Sequence, residues 1–424
     1  MVEIWLPYGN TEVCLTVSPE NLLSVVEPKP RPKPANLEEE LEKALQNPIN
    51  AKRLDEIVKP NQKIAIAFDK NLNPNLLGLM ISKLWDKIKI SGLPASNVTV
   101  IIGCKDGEIP SQTEAENFLR KIPENFQKKV HNPNILEDLV EVGLTNRKTK
   151  VFLNKSFWEA DVKILLGKIG LHPYVGFCGG SSTILSVCGL NTIHQNYVLA
   201  INSKSRIGVL EENPVYADLV EIAKLCKVDY ALNVVENEEN ETLKVFCGEP
   251  EKMFLEGVKF VRSFYEVEVD GKAEVVVVSP GGTPYDQNFY DVYEAVEHVL
   301  GIVKNGGVIV LVAECSQGLG GETFHKWMVE IDSVEDLKKI VKKNFDPCLH
   351  RVFQLMDVLK NHRIIVVSAL PNVFVSGVLK LRLAKTVDDA VEWALRLVGK
   401  KSKILVLPYA KKVLPVLKTI EIQH

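Results

Sequence analysis

The sequence predicts an α/β protein made of two Rossmann-like βαβ domains, each a parallel sheet covered by helices. The chain has 424 residues, which is more than one ordinary hydrophobic core requires. Short apolar runs alternate with longer amphipathic segments, and this rhythm restarts after residues 269–271. We therefore expect a first domain over residues 1–266, rejoined by 408–424, and a second over 267–407. The two domains are expected to face each other across a cleft that holds the ligand.

Composition excludes several classes of function. Hydrophobic residues make up 46% of the chain, charged residues 25%, and the net charge is -3, so no basic surface for nucleic acid is expected. The eight cysteines are scattered, without the short spacing that a zinc site needs. No apolar stretch is long enough for a membrane helix, and the first residues do not resemble a signal peptide. These observations predict a cytoplasmic protein with a small-molecule substrate or a phosphate-bearing ligand, and without nucleic-acid or membrane partners.

The first segments predict strands and a connector. Residues 1–26 alternate apolar and polar side chains, as short strands do. Alternating prolines over residues 27–34 fix φ and remove N–H donors, which predicts an extended connector rather than a ligand for an SH3 domain. Asn36 is positioned to cap the helix that follows it, because acidic residues fill that helix's first turn.

The remaining elements follow in order along the two domains. In the first domain we predict strands at 63–68, 97–103 and 161–167, helices at 75–91 and near 112–121, and a hairpin tip at 236–242. In the second domain we predict strands at 273–279, 306–313, 363–370 and 402–408, with helices beginning near 286, 334, 350, 373 and 386.

Ligands of doubly wound sheets bind beyond the carboxyl ends of the strands. After the strand at 161–167 the chain runs through a glycine-rich turn into hydroxyl residues that open a helix. Glycines let a ligand approach the backbone, and free N–H groups at a helix start attract anions. The alternative is a tight turn with an ordinary hydroxyl cap. The residues predicted to bind the anion are Gly179, Gly180, Ser181, Ser182 and Thr183.

Three polar residues at other strand ends are candidates for the same site. His172 follows the third strand and is predicted either to exchange protons with a ligand or to serve as a structural hydrogen-bonding group. Asp69 ends the first strand of the sheet and is predicted to contact the bound molecule, whether cofactor or substrate. Lys105, after the second strand, would bind an anion or take part in proton transfer, unless it is an ordinary solvated charge.

Many collinear segments resemble the lactate racemase family, which uses a nickel-pincer nucleotide. The resemblance runs along nearly the whole chain. The similar segments are residues 6–9, 44–49, 57–60, 64–69, 172, 176–180, 281–290, 306–309, 313–315 and 318–320.

This resemblance implies hydride chemistry on an α-hydroxy acid. In such enzymes the bound nickel accepts a hydride from the substrate's α-carbon, while the protein supplies proton acceptors and a cation for the carboxylate. His172 matches a catalytic histidine of the family. At five other functional positions the sequence departs from the family pattern: Leu72 replaces an arginine, Lys105 a histidine, Ser182 the cofactor-linking lysine, Tyr197 the nickel-binding histidine and Glu294 a lysine.

Three interpretations follow from these departures. The first is a divergent racemase or epimerase that holds the nickel-pincer nucleotide without a covalent link. In it, hydroxyls of the glycine-rich segment grip the phosphate and His194 or Tyr197 binds the metal, while Tyr290 and Glu294 contact the substrate. The second is an enzyme or binding protein for another phosphate-bearing or acidic metabolite. The third is an inactive paralogue that acts through a partner chain.

Overall fold

The computed structural model describes residues 1–418 and has the predicted alternation of strands and helices. The strands, in chain order, are β1 (Val2–Tyr8), β2 (Thr11–Val17), β3 (Leu22–Val25), β4 (Ile64–Asp69), β5 (Val98–Gly103), β6 (Gln127–Val130), β7 (Leu139–Leu144), β8 (Lys150–Asn154), β9 (Val162–Lys168), β10 (Gly170–His172), β11 (Gly176–Cys178), β12 (Tyr230–Glu236), β13 (Thr242–Gly248), β14 (Glu266–Val269), β15 (Ala273–Val278), β16 (Val303–Val312), β17 (Arg363–Val367), β18 (Arg382–Ala384), β19 (Ile404–Leu407) and β20 (Leu414–Leu417).

The α-helices are α1 (Leu37–Gln46), α2 (Leu54–Ile57), α3 (Pro74–Ile88), α4 (Gln112–Leu119), α5 (Lys155–Trp158), α6 (Leu190–Val198), α7 (Pro214–Leu225), α8 (Pro250–Tyr265), α9 (Phe289–Val292), α10 (Glu294–Val299), α11 (Glu322–Glu330), α12 (Val334–Val341), α13 (Cys348–Asn361) and α14 (Val387–Val398). Short 3₁₀ segments lie at Lys89–Ser91, Ala95–Asn97, Leu136–Asp138, Gly180–Val187 and Ala410–Lys412, and Val373–Val378 forms a π-helical turn.

The described residues form two compact units, which we call the central unit (31–261) and the terminal unit (1–30 with 262–418). The central unit contains a six-stranded sheet in the order β13-β12-β9-β4-β5-β6. Its strands run parallel except for β13, which forms an antiparallel hairpin with β12. Helices α1 and α3 cover one face of this sheet, and Leu41, Leu77 and Leu84 are fully buried in the core that they share with it.

The terminal unit contains a second six-stranded parallel sheet, in the order β18-β17-β16-β15-β19-β3. Valines of β15 and β16 fill its core and have almost no exposed surface, as expected for strands covered on both faces. Helix α14 packs against the same core through Ala390 and Ala394. The fold prediction of two α/β domains with parallel sheets is therefore confirmed.

The predicted domain boundaries differ from the observed units. Residues 1–30 belong to the terminal unit, because β3 pairs in parallel with β19 and the β1–β2 hairpin buries Leu6 and Leu15 in the terminal core. Residues 408–418 belong to it as well, since β20 pairs with β14, while 419–424 lie outside the described residues. The proline segment connects the two units, with the division falling at Pro30. The assignment of these two stretches to the first domain was wrong.

Local predictions agree well with the structure. The Asn36 side chain accepts hydrogen bonds from the N–H groups of Glu38 and Glu39, so it caps α1 as expected. The β12–β13 hairpin encloses the predicted tip at 236–242. All eight cysteines are free thiols. Among the described residues, none of the helices combines the length and the apolarity that crossing a membrane demands.

Candidate functional site

An open pocket of about 140 Å³ lies at the carboxyl edge of the central sheet. Strands β4 and β9 are neighbours in this sheet, and the chain continues from β4 toward β5 on one side and from β9 toward β12 on the other. This reversal is the topological switch point, where doubly wound sheets bind ligands. The pocket's lining includes five predicted site residues, namely Asp69, Lys105, Gly179, Ser182 and Thr183.

Asp69 organises one wall of the pocket. It is the last residue of β4, and its side chain is buried. Its Oδ2 accepts the Lys105 N–H at 2.8 Å, while its Oδ1 accepts the Asn71 backbone N–H at 3.1 Å and the Asn71 side-chain amide at 2.8 Å. Both oxygens are thus engaged with the protein. Asp69 fixes the backbone of Lys105 and Asn71, and this differs from the direct cofactor contact that the sequence suggested.

Lys105 supplies a positive charge that the protein itself does not neutralise. Within residues 1–418, no carboxylate lies within 4.0 Å of its ammonium group, whereas the other lysines at this edge are paired. Lys70 lies 3.2 Å from Asp106, and Lys168 lies 2.5 Å from Glu236. An unpaired, half-buried cation in a pocket favours an anionic ligand.

The glycine-rich turn brings the 3₁₀ segment Gly180–Val187 against the strand ends. Gly179 has a φ of 108°, and a Cβ on it would lie 2.7 Å from the Lys168 carbonyl oxygen. The Gly179 N–H donates to Ser182 Oγ at 2.9 Å, and the Gly180 N–H donates to Asn233 Oδ1 at 2.7 Å. The prediction that free N–H groups of the turn bind an anion is therefore wrong for these two glycines.

The hydroxyl residues of the segment differ in their positions. Ser182 and Thr183 line the pocket, while Ser181 is buried and is not part of the lining. The Ser182 hydroxyl donates to the Gly179 carbonyl oxygen at 2.9 Å, which closes the turn locally. Sequence reasoning missed Asn233, whose side chain is fully buried on β12 and holds the turn. A polar residue within an otherwise apolar strand was the signal that could have revealed it.

His172 lies in the small hairpin of β10 and β11, opposite Gly176, and it is not part of the pocket lining. Its Nδ1 accepts the Val175 N–H at 3.3 Å, so the neutral ring carries its proton at Nε2. Its ring contacts Tyr174 edge-on, with centroids 4.6 Å apart, and Tyr174 contacts Tyr197 edge-on at 5.8 Å. The Tyr174 ring therefore lies between His172 and Tyr197 and contacts both of them.

The predicted metal ligands lie on α6. His194 is half-buried and Tyr197 is buried one helical turn later. In the part of the chain that the structure describes, no group of three or more His, Cys, Asp or Glu side chains could hold a metal ion.

Tyr290 and Glu294 lie in the terminal unit, on α9 and at the start of α10. Burial alone would raise the pKa of the Glu294 carboxyl group. The neighbouring side chains of His298, Lys411 and Arg351 outweigh burial and lower this pKa from 4.5 to about 2. Glu294 therefore carries a negative charge across the physiological pH range.

The lowered pKa predicts how Glu294 affects stability. A carboxylate with a depressed folded-state pKa stabilises the protein above its ordinary pKa of 4.5, and this stabilisation is lost as the pH falls toward about 2. We expect Glu294→Gln to lower the melting temperature at neutral pH and this deficit to shrink at acidic pH. Thermal unfolding of both proteins between about pH 6 and about pH 3 measures the difference. A deficit that does not change with pH would contradict the ion pairing described here.

Comparison with known proteins gives the family. Residues 8–208 match the lactate racemase N-terminal domain, and residues 269–414 match the lactate racemase C-terminal domain. A lactate racemase from Thermoanaerobacterium thermosaccharolyticum is 30% identical over 419 residues, which cover 96% of this chain and 98% of the relative. The chain belongs to the lactate racemase family. The lactate racemase of Lactiplantibacillus plantarum is 26% identical over 420 residues, with the same coverage of both chains.

Solved structures agree with this assignment. The lactate racemase apoprotein of T. thermosaccharolyticum superimposes with a TM-score of 0.81 at 28% identity, covering 99% of this chain and all of that one. A crystal structure of a Thermotoga maritima protein, 17% identical, has a TM-score of 0.57, covers 92% of this chain and 100% of that chain, and shows likeness of fold alone. Membership in the lactate racemase family supports the predicted isomerase-type enzyme with a small-molecule substrate.

Proposed function

We propose that the chain is a divergent racemase or epimerase of an α-hydroxy acid, which holds a nickel-pincer nucleotide without a covalent bond. The observation that carries this proposal is the pocket at the switch point of the central sheet. It brings the ammonium group of Lys105 together with the hydroxyl residues Ser182 and Thr183. These are the groups that a nucleotide phosphate requires, and they lie in a chain whose relatives are lactate racemases.

The site fits the anionic part of such a cofactor and lacks its covalent anchor. Lys105 offers an unpaired charge for a phosphate, and Thr183 would add a hydroxyl donor. Ser182 would add another once its hydroxyl rotates away from the Gly179 carbonyl oxygen. Ser182 stands where the family has its linking lysine, and its hydroxyl closes the glycine turn instead. When bound, the nickel-pincer nucleotide would supply a centre that accepts a hydride from the substrate's α-carbon and returns it.

His172 is the proposed residue that exchanges a proton with the substrate hydroxyl. In the ligand-free structure Nδ1 accepts the Val175 N–H, so the neutral ring carries its proton at Nε2. To act as the base, His172 needs the Val175 hydrogen bond to open and its proton to lie at Nδ1, so that Nε2 accepts the hydroxyl proton. The imidazolium formed in this way then returns the Nε2 proton to the substrate oxygen and becomes neutral again. The edge-on contact with Tyr174 orients the ring for either step. The proposal thus assigns His172 to proton transfer and Lys105 to anion binding.

A second candidate function rests on the same lysine. An unpaired ammonium group beside hydroxyl residues suits any phosphate-bearing or acidic metabolite, with or without nickel. This candidate predicts that an anionic ligand stabilises the protein although no metal is bound.

The test is metal analysis together with native and denaturing mass spectrometry. The protein is produced alongside the enzymes that make the nickel-pincer nucleotide, and a second batch is produced without them as the control. We expect nickel and an added mass in the native protein, and loss of that mass on denaturation. A mass that survives denaturation would contradict non-covalent binding. Protein with neither nickel nor added mass would rule out the isomerase proposal in favour of the second candidate.

Lys105→Met gives a quantitative prediction for the pocket. Removal of the unpaired ammonium group should weaken binding of the anionic ligand by roughly tenfold to a hundredfold, the range of one charge-assisted hydrogen bond. The matched control is Lys259→Met, because Lys259 is exposed and pairs with Glu256 on its own helix. Titration calorimetry with the nickel-pincer nucleotide or with inorganic phosphate measures the affinity of both variants. Equal affinities for the two variants would remove Lys105 from the site.

A further inference from the structure

The terminal unit contains a buried arginine whose hydrogen-bonding capacity is largely unused. Arg351 lies on α13 and has 5% of its surface exposed. Its Nη1 donates to Gln354 Oε1 at 2.9 Å. Its Nε makes no hydrogen bond within the described chain, and its Nη2 lies 3.9 Å from Glu294 Oε2, beyond hydrogen-bonding distance. Buried polar groups are nearly always bonded, so this unused capacity indicates a missing partner.

The two unused donors lie on the same edge of the planar guanidinium. Nε and Nη2 point in parallel and form the fork that binds both oxygens of a carboxylate. The rings of Tyr290 and Tyr293 hold the guanidinium in place, with centroids 5.2 and 5.5 Å from its central carbon. These contacts fix the plane of the fork before any ligand arrives, which reduces the entropy cost of binding.

Glu294 shows that a carboxylate is tolerated beside this fork. Its carboxylate lies close enough to pair electrostatically with Arg351 but too far to make the two short bonds that the fork offers. The Glu294 side chain is 27% exposed, so the approach to the fork opens toward its side. The charge of Lys411 also acts on Glu294, which adds to the positive potential around the fork.

We propose that Arg351 binds the carboxylate of a small organic acid through its Nε and Nη2 groups. When the ligand is absent, the Glu294 carboxylate lies beside the fork. Its negative charge opposes binding of the ligand's carboxylate. The site includes Tyr290 and Glu294, to which the family resemblance assigns substrate contact, so this proposal deepens the proposed function. Its test needs no nickel-pincer nucleotide, and a failure of lactate binding is therefore distinguishable from a failure of cofactor binding.

The test uses protein made without the cofactor enzymes and three probes: lactate, its uncharged amide lactamide, and inorganic phosphate. We expect lactate to bind and lactamide to bind much more weakly, as measured by titration calorimetry. In Lys105→Met, which lacks the unpaired cation of the central pocket, we expect phosphate to bind much more weakly than lactate. Arg351→Lys keeps the charge but loses the fork, and it should weaken lactate binding by roughly tenfold to a hundredfold. Arg382→Lys is the matched control, because Arg382 is exposed and contacts an aromatic ring, that of Trp393.

Two further variants keep the proposal falsifiable if Arg351→Lys does not fold. Glu294→Gln should tighten lactate binding, because it removes the competing charge while conserving the shape of the side chain. Lys105→Met locates the binding, because loss of lactate binding in this variant would place lactate in the central pocket. The proposal is overturned if neither the unaltered protein nor Glu294→Gln binds lactate. It is also overturned if phosphate binds as tightly as lactate to Lys105→Met, whose central pocket has lost its unpaired cation, or if Lys105→Met abolishes binding that Arg351→Lys retains.

Discussion

Replacing His172 by alanine is expected to lower turnover of the α-hydroxy acid by roughly a hundredfold to ten-thousandfold, the usual contribution of a general acid or base. His172 contributes little to the core, because it lies half-buried in the three-residue strand β10. The melting temperature should therefore change little. Steady-state kinetics in both directions, with protein carrying its cofactor, measure the effect.

The control for His172 is His325→Ala. His325 also makes an edge-on ring contact, with Phe374 at 6.0 Å, but it lies on α11 of the terminal unit. Loss of that ring should leave turnover unchanged. Unaltered turnover in His172→Ala would exclude His172 as the proton donor. A fall in turnover matched by an equal fall in cofactor content would show that His172 holds the cofactor and does not transfer the proton.

Replacing Gly103 by alanine is expected to destabilise the central unit strongly. Gly103 ends β5, and a Cβ there would lie 2.1 Å from the Ser186 carbonyl oxygen. That oxygen accepts the Cys104 N–H at 3.0 Å, so the backbone cannot move away without breaking this bond. Overpacking against backbone costs about 3 kcal/mol, and this corresponds to a melting temperature lower by roughly 6 to 12 °C. Displacement of the next residues should also weaken anion binding at Lys105.

Gly271→Ala is the control for this substitution. Gly271 lies in the short connection between β14 and β15, and no heavy atom would lie within 4 Å of an added Cβ. The melting temperature of Gly271→Ala should stay close to that of the unaltered protein. Calorimetry of both variants separates the close packing at Gly103 from the general cost of replacing glycine. Equal stabilities of Gly103→Ala and Gly271→Ala would show that the 3₁₀ segment Gly180–Val187 can shift away from β5 without cost.

Local sequence patterns predicted the elements and much of the central pocket. Apolar runs gave the strands β4, β5 and β9, and residues at their ends supplied Asp69, Lys105 and Ser182. This succeeded because the carboxyl ends of parallel strands meet at one edge of a sheet. The bonding state of each group could not be predicted in the same way. Whether Lys105 is paired, or the Gly180 N–H free, depends on partners far along the chain.

The sequence by itself determined where strands and helices form, because side-chain periodicity and capping act over a few residues. The tertiary structure decided which unit residues 1–30 join, since β3 pairs with β19 although most of the chain separates them. It also decided that Arg351 lies against Tyr290 and beside Glu294. These contacts join residues that no local pattern relates, and only burial of the shared core brings them together.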